Sequence, residues 1–254
     1  MRHIVIPDVQ AKPGIDTTHL DWAARAIVEY RPDTIVIMGD FWDMPSLSSY
    51  DAPGSKEAQG RNVLSDIEAG NEAFERLTHP IFKERLRMVN THRPRWNPRC
   101  EFLCGNHEDR ISRTIAVDPR FDKLLTLDNL KTPGFNRNDF LKIVMIDDIR
   151  YSHYFPNPLS GRPIGGTITN RLNHIGGSFV QGHQQGFLYG SKQYPDHVAH
   201  GLVCGRFYSH HEHYRPADVQ NVEGNGIVVL NEVRNKGDYD LMPLSFNYLR
   251  QKFG

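Results

Sequence analysis

Five short polar clusters, each following an apolar run, hold the side chains of this chain best suited to chemistry. They are Asp8-Val9-Gln10, Gly39-Asp40-Phe41-Trp42-Asp43, Gly105-Asn106-His107-Glu108-Asp109-Arg110, His153, and Gly182-His183-Gln184-Gln185-Gly186. Carboxylates, amide oxygens and imidazoles are the groups that ligate divalent cations, and His and Asp also move protons. Singly, each cluster has an ordinary explanation, since Asp after a strand caps a turn or helix and Gly-Asn or Gly-His pairs make turns. Together, and always at strand ends, they point to one shared site. Thirteen histidines among 254 residues sharpen the case for such a site.

The elements that would carry these clusters can be read from the apolar runs. Arg2 to Pro7 is a short β-branched run that predicts a buried strand, with Asp8 at its C-terminal end. Thr17 or Thr18 can cap a helix in which Leu20, Ala23, Ala24, Ile27 and Val28 recur at helical spacing, until Arg31-Pro32 stops it. Thr34 to Met38 is a second strand. Strand, helix and strand in about 35 residues form a βαβ unit with parallel, adjacent strands. Asp8 and Asp40 then open into one crevice at the strands' C-terminal ends, where ligands of open α/β sheets bind. A third strand, Glu101 to Cys104, leads into Asn106. Leu141 to Ile146 and Ile149 to Ser152 predict a hairpin turning at Asp147-Asp148, with His153 after it. Ser178 to Gln181 leads into His183. Between Phe41 and Arg99 lies a long polar stretch with one helix, whose Val63, Leu64, Ile67, Phe74 and Leu77 share a face.

In order and spacing the five clusters resemble the blocks of calcineurin-like metallophosphoesterases, which usually read Asp-x-His, Gly-Asp-x-x-Asp, Gly-Asn-His-Asp/Glu, a lone His after a strand, and Gly-His-x-His. The match runs from residue 8 to 185, and the whole chain is similar to phosphoesterases encoded by tailed bacteriophages. The resemblance implies an α/β fold, a two-sheet βαβ sandwich flanked by helices, as a single domain over residues 1–254 with an insertion at about 41–99 partly covering the cleft. It implies Asp40 bridging two divalent metal ions, with Asp8, Gln10 and Gln185 on the first and Asn106, His153 and His183 on the second. His107 is then the general acid and Asp43 its orienting partner, while Arg110 is the candidate to bind substrate phosphate.

Gln10 and Gln185 stand where the family pattern has histidines, and both belong to the first metal. An amide oxygen is neutral and hard, so that site would present only oxygen donors. Manganese is therefore the expected cofactor, with magnesium, nickel and zinc as the other candidates. The expected activity is that of a phosphodiesterase or nuclease-like hydrolase. The alternatives are a phosphomonoesterase acting on a nucleotide or small molecule and a metal-binding protein without turnover. Asp43 is not followed by the Arg with which the family's protein phosphatases grip a phosphomonoester.

Charge is balanced, 30 basic against 30 acidic residues, so no global argument favours nucleic acid or membrane as a partner. Locally, Lys83, Arg85, Arg87, Arg93, Arg95 and Arg99 with Trp96 form a basic stretch that could track a nucleic-acid backbone beside the site or be a solvated helix end. His210, His211 and His213 with Tyr208 and Tyr214 either line the cleft or form a surface loop. Cys100 and Cys104 read as reduced interior thiols, and His174 and His200 as structural. No run approaches a membrane span and no signal peptide is legible, so a cytoplasmic protein is expected, in the host cytoplasm if phage-encoded.

Overall fold

The computed structural model describes residues 1–49, 59–91, 95–211 and 225–254. The first strand, β1 (His3–Ile6), is followed by α1 (His19–Tyr30), β2 (Thr34–Ile37), α2 (Val63–Asn90), β3 (Arg99–Leu103), α3 (Asp109–Val117) and β4 (Asn136–Asn138). A second run comprises β5 (Val144–Ile146), β6 (Ile149–Ser152), α4 (Ile168–Ile175), β7 (Phe179–Gln181), β8 (Phe187–Gln193) and β9 (Val198–Cys204). The chain then returns through β10 (Gly226–Arg234), β11 (Asp238–Ser245) and α5 (Phe246–Phe253). Two mixed sheets result, ordered β11-β10-β1-β2-β3-β4 and β5-β6-β7-β9-β8. The expected α/β fold, two sheets flanked by helices, is the one observed.

Strand alternation explains the layering. Ile4, Ile6, Ile35, Ile37 and Phe102 face α1 and α2, whose Leu20, Ala23, Ala24, Ile27, Phe74, Leu77 and Ile81 complete that side of the core. The residues between them, Val5, Val36 and Leu103, face the other sheet and meet Val144, Ile146, Tyr151, Val180 and Leu202. The outer face of the second sheet packs Phe179, Ala199 and Val203 under Ile168 and Leu172 of α4. Two-sided burial is why the β1 and β2 runs are apolar throughout rather than alternating. Two buried polar contacts pin the sheets' far ends. His3 lies between Tyr151 (Nδ1 to the hydroxyl, 2.7 Å) and Asp147 (Nε2 to Oδ2, 2.8 Å), and His200 lies between Tyr189 (2.7 Å) and Asp238 (2.8 Å).

The parallel strands β1, β2 and β3 run in register, so their C-terminal ends share one edge. β6 and β7 are likewise parallel. The predicted hairpin turns at Asp147 (φ 49°) and Asp148 (φ 63°), two left-handed residues as a type I′ turn requires. Its first strand is shorter than expected, beginning at Val144 because Leu141 is itself left-handed (φ 65°).

Several expectations are corrected in detail. Thr18 lies at the start of α1 without a side-chain cap, while Asp16 accepts from Thr18 N at 2.9 Å instead. The helix within 41–99 is far longer than its apolar run suggested, 28 residues continuing through Pro80. Its buried face follows Ile67, Gly70, Phe74, Leu77 and Ile81 at steps of 3 or 4, while Leu64 in the first turn is 68% exposed. Trp42, Phe41, Phe102 and Phe135 surround the Phe74 ring, with Trp42 stacked on it at 5.5 Å. The basic stretch is the last turns of α2 and the approach to β3. Arg87 and Arg31 pair with Glu84, Arg99 pairs with Glu101, Arg85 bonds Asn97, and Trp96 donates to Pro32 O at 2.7 Å. Those partners sit at the N-terminal ends of β2 and β3, so the stretch lies at the opposite end of the sheet from the strand-end clusters; Arg93 falls outside the described residues. Cys100, Cys104 and Cys204 are all free and buried. No helix among the described residues is long and apolar enough to cross a membrane.

Phe74→Ala removes the ring at the centre of this aromatic wall and should cost about 3–5 kcal/mol of stability. Equilibrium urea unfolding measures it, and a loss below about 1 kcal/mol would show that α2 is not integral to the core.

Candidate metal centre

The loops after β1, β2 and β3 are held by unusual backbone. Asp40 (φ 47°), Gln10 (φ 49°) and Met44 (φ 51°) are left-handed, as is His183 (φ 63°) after β7. Such conformations cost a non-glycine residue energy and persist where surrounding bonds enforce them. Here Val9 N and Gln10 N both donate to Asp40 O, at 3.1 and 2.9 Å, and Asp43 N donates to Ala11 O at 2.9 Å. Glu108, fully buried, accepts from Asp40 N (2.9 Å), Phe41 N (2.8 Å), Trp42 N (3.1 Å) and Gly105 N (2.6 Å). Gly105 must be glycine, because a Cβ there would lie 2.2 Å from Asp40 Oδ1.

These loops bring Asp40, Asn106, His153 and His183 together. Asp40 Oδ1 accepts from His107 N at 2.9 Å, and its Oδ2 lies 3.3 Å from His153 Nε2. Asn106 Oδ1 stands 3.0 Å from His153 Nε2 and 2.8 Å from His183 Nδ1. Ligand atoms of Asp40, His153 and His183 all fall within 4.8 Å of one another, a cluster able to hold a metal ion. His153 Nδ1 donates to Met38 O at 2.7 Å, which in the neutral ring leaves the Nε2 lone pair aimed into the cluster. A carbonyl holding the far ring nitrogen is the usual way a ligating imidazole is oriented.

Asp8 adjoins this group, its Oδ1 accepting from His183 N at 3.2 Å. Asp8 Oδ2 and Gln10 Oε1 are buried without a hydrogen-bond partner. Buried oxygens of that kind are costly unless something electropositive meets them. Gln185 Oε1 accepts from the Tyr208 hydroxyl at 2.6 Å. The cluster of Asp40, His153 and His183, with the Asn106 amide oxygen beside it, thus suits a divalent cation.

The titration behaviour agrees. Burial, and then the charge of Asp40, push Asp8 up to about 7. Asp40 itself is held well below the carboxylate range, because His107 and His153 outweigh the burial that would raise it. His153 is raised to about 9 despite its burial, chiefly by Asp40. Burial, and then the charge on His153, lower His183 to about 4. Buried carboxylates that draw protons in this way would draw a cation on the same grounds.

Beside the cluster, His107 Nδ1 lies 2.9 Å from Asp43 Oδ1, and its Nε2 lies 3.7 Å from Asp40 Oδ2. Lys12 Nζ holds the other oxygen of Asp43 at 2.7 Å. Asp43 stays low because His107 and Lys12 overcome its burial, and His107 is raised against its own burial by Asp40 and Asp43. Arg110 was expected to reach a phosphate. It is instead 9% exposed and braces the loop after β2, donating to Asp43 O at 2.8 Å and Met44 O at 3.1 Å, with Nη2 3.2 Å from His107 Nε2. Arg113, more exposed, donates to Asn106 O at 2.7 Å. Tyr208 is buried and stacks on His210 at 4.4 Å, while His213 and Tyr214 lie outside the described residues. His174 is exposed on α4.

Lys12 was not singled out from the sequence, and Glu108 and Tyr208 were named there without the partners they take in the structure. The Glu108 position closes the Gly-Asn-His-Glu block, a signal that could have found its role; Lys12 and Tyr208 carry no such signal.

No family model matches the chain, and no curated protein matches it. Among solved structures it is similar to YfcE, described as a phosphoesterase from E. coli, with 13% identity, a TM-score of 0.38 and coverage of 96% of this chain and 99% of that one. So distant a likeness leaves the chemistry to this chain's own residues.

Because each Glu108 oxygen accepts two N–H groups, an amide NH2 in place of either would face two donors. Glu108→Gln should therefore cost about 2–4 kcal/mol, read by thermal or urea unfolding. Stability equal to the parent would remove Glu108 from its place as the tie between the two loops.

Proposed function

We propose that this chain is a metal-dependent phosphoesterase, most simply a phosphodiesterase or nuclease-like hydrolase, with two divalent ions held by Asp8, Gln10, Asp40, Asn106, His153, His183 and Gln185. The observation that carries the reading is the convergence of Asp40, Asn106, His153 and His183 beside two buried, unpartnered oxygens, Asp8 Oδ2 and Gln10 Oε1. Divalent ions held there would supply Lewis acidity to phosphoryl oxygens and an acidified water.

The chain's own residues supply the rest. Hydrolysis adds a water oxygen to phosphorus and breaks the bond to the ester oxygen, which must gain a proton as it leaves. His107 suits that task, since Asp40 and Asp43 raise its pKa against the burial that would lower it. Asp43 stands 2.9 Å from Nδ1 and is itself held by Lys12, while Nε2, between Arg110 and Asp40 on the cluster side, is the nitrogen that would pass the proton on. Arg110 and the Glu108 tie hold the loop on which Asp40 and Asp43 stand. A diester is favoured over a monoester because Met44, not Arg, follows Asp43, and Arg110 is committed to backbone carbonyls. The oxygen-only set of Asp8, Gln10 and Gln185 favours manganese or magnesium.

With added manganese, the purified protein should hydrolyse bis-p-nitrophenyl phosphate faster than p-nitrophenyl phosphate, and chelation should abolish both activities. His107→Ala should lower kcat by about a hundredfold or more with KM little changed. Hydrolysis of neither ester would sink the proposal, and a His107→Ala enzyme as fast as the parent would sink the proton-donor assignment. Gln10→His should move metal preference toward zinc, measured as relative activation by zinc and manganese; an unchanged ratio would count against Gln10 as a ligand.

A further inference from the structure

Arg171 is an oddity of the second sheet's outer layer. It sits on α4 beside Leu172, whose side chain joins the apolar cluster over Phe179 and Val203, and is itself only 3% exposed. Among the described residues no carboxylate lies at ion-pair distance from it, and burial alone pulls its pKa below that of an ordinary arginine. A guanidinium cannot shed its charge at any ordinary pH, so burying one without a counter-charge is costly. Something must depend on what it grips. Its Nε donates to Gly166 O at 3.1 Å and its Nη2 to Gln184 Oε1 at 2.7 Å, while Nη1 is buried without a partner.

Gln184 stands between His183 and Gln185, the two candidate ligands after β7. The loop there is tight: Gln184 N donates to Gly182 O at 2.7 Å, and His183 is left-handed at φ 63°. Strained backbone of this sort relaxes unless its neighbours hold it. We infer that Arg171 is a positioning residue that clamps the 182–186 loop to α4 through Gln184, keeping His183 on Asn106 and Gln185 on Tyr208. The inference rests on the metal-centre reading for its functional meaning, but the clamp itself is a property of the metal-free chain. A charged donor to a neutral amide gives a directional bond stronger than a neutral pair. It does so without adding a carboxylate that would compete for cations beside the cluster.

Two measurements on the full-length chain test this, with Arg171→Met, which keeps the stem, Arg171→Lys, Gln184→Ala and the Arg171→Met/Gln184→Ala pair. In the metal-free protein, amide hydrogen exchange should rise about tenfold or more at residues 183–186 in Arg171→Met and Gln184→Ala, and not in β9. By titration calorimetry, Mn2+ should bind about 10–100-fold more weakly in each single variant, no more weakly in the double, and at an intermediate strength in Arg171→Lys. A role confined to global stability would shift the unfolding midpoint without this loop-restricted exchange or the non-additive affinity loss. Gln184 is only partly buried, so its variant tests the clamp even if Arg171→Met folds poorly. Parent-like exchange and Mn2+ affinity in Gln184→Ala would overturn the inference. A parent chain that binds no Mn2+ would overturn the metal-centre reading instead, and the exchange arm would still decide the clamp.

Discussion

The carboxylate of Glu108 organises the edge of the first sheet at which the polar clusters converge. It gathers the N–H groups of Asp40, Phe41 and Trp42 from the loop after β2 and that of Gly105 from the loop after β3. Without an acceptor these four donors would be buried and unsatisfied, and the left-handed turn at Asp40 would have no reason to hold. Once tied, the loops approach so closely that Gly39 and Gly105 can carry no side chain, as a Cβ on Gly39 would stand 2.5 Å from Gly105 N. The same approach puts His107 N on Asp40 Oδ1, so one buried carboxyl group sets where both the Asp40 carboxylate and the His107 ring stand.

That arrangement stores unfavourable electrostatics. Asp8 and Asp40 are both buried, and two carboxylates in one low-dielectric site cannot both ionise freely. The metal-free chain resolves the conflict with protons, on Asp8 through a raised pKa and on His153 through the charge of Asp40. Neutral imidazole and amide oxygen would otherwise face each other across 3.0 Å at His153 and Asn106. A cluster that needs positive charge from somewhere is built to take it from a cation, which is why the geometry favours metal binding over a purely structural polar knot.

How much of this was legible in sequence follows from where each partner sits. β1, β2, β3, β6 and β7 announced themselves because burial on both faces makes short apolar runs, and a polar residue marks each end. β8 did not: its burial alternates irregularly and Gly190 interrupts it, packing against Ile168. β10 and β11 lie beyond the last recognisable cluster, and their place beside β1 is a long-range antiparallel pairing that no local pattern encodes. α2 outran the apolar run that ends at Leu77 because packing against α1 carries the helix on through Pro80 to Asn90. Asp8, Asp40, Asn106, His153 and His183 were readable as strand-end residues. The groups that hold them were not, since Arg110 meets Asp43 O across 67 residues and Tyr208 meets Gln185 across 23.

The asymmetry of the centre has a structural counterpart. On the side of His153 and His183, ring orientation is fixed by Met38 O and by contact between the two rings, whose centroids are 5.2 Å apart. On the side of Asp8, Gln10 and Gln185, the donors are oxygens, one of them already accepting from Tyr208. Amide oxygens bind a cation through a dipole rather than a charge, so the cation there would depend more on Asp8 and Asp40 for its electrostatic attraction. Asp8 in turn carries a proton near neutral pH unless a cation displaces it. Any cation bound on that side would compete with a proton for Asp8, whereas Asp40, held well below the carboxylate range, would offer the imidazole side no such competition. With glutamines at positions 10 and 185, the charge that would attract a cation on that side comes from Asp8 and Asp40 alone.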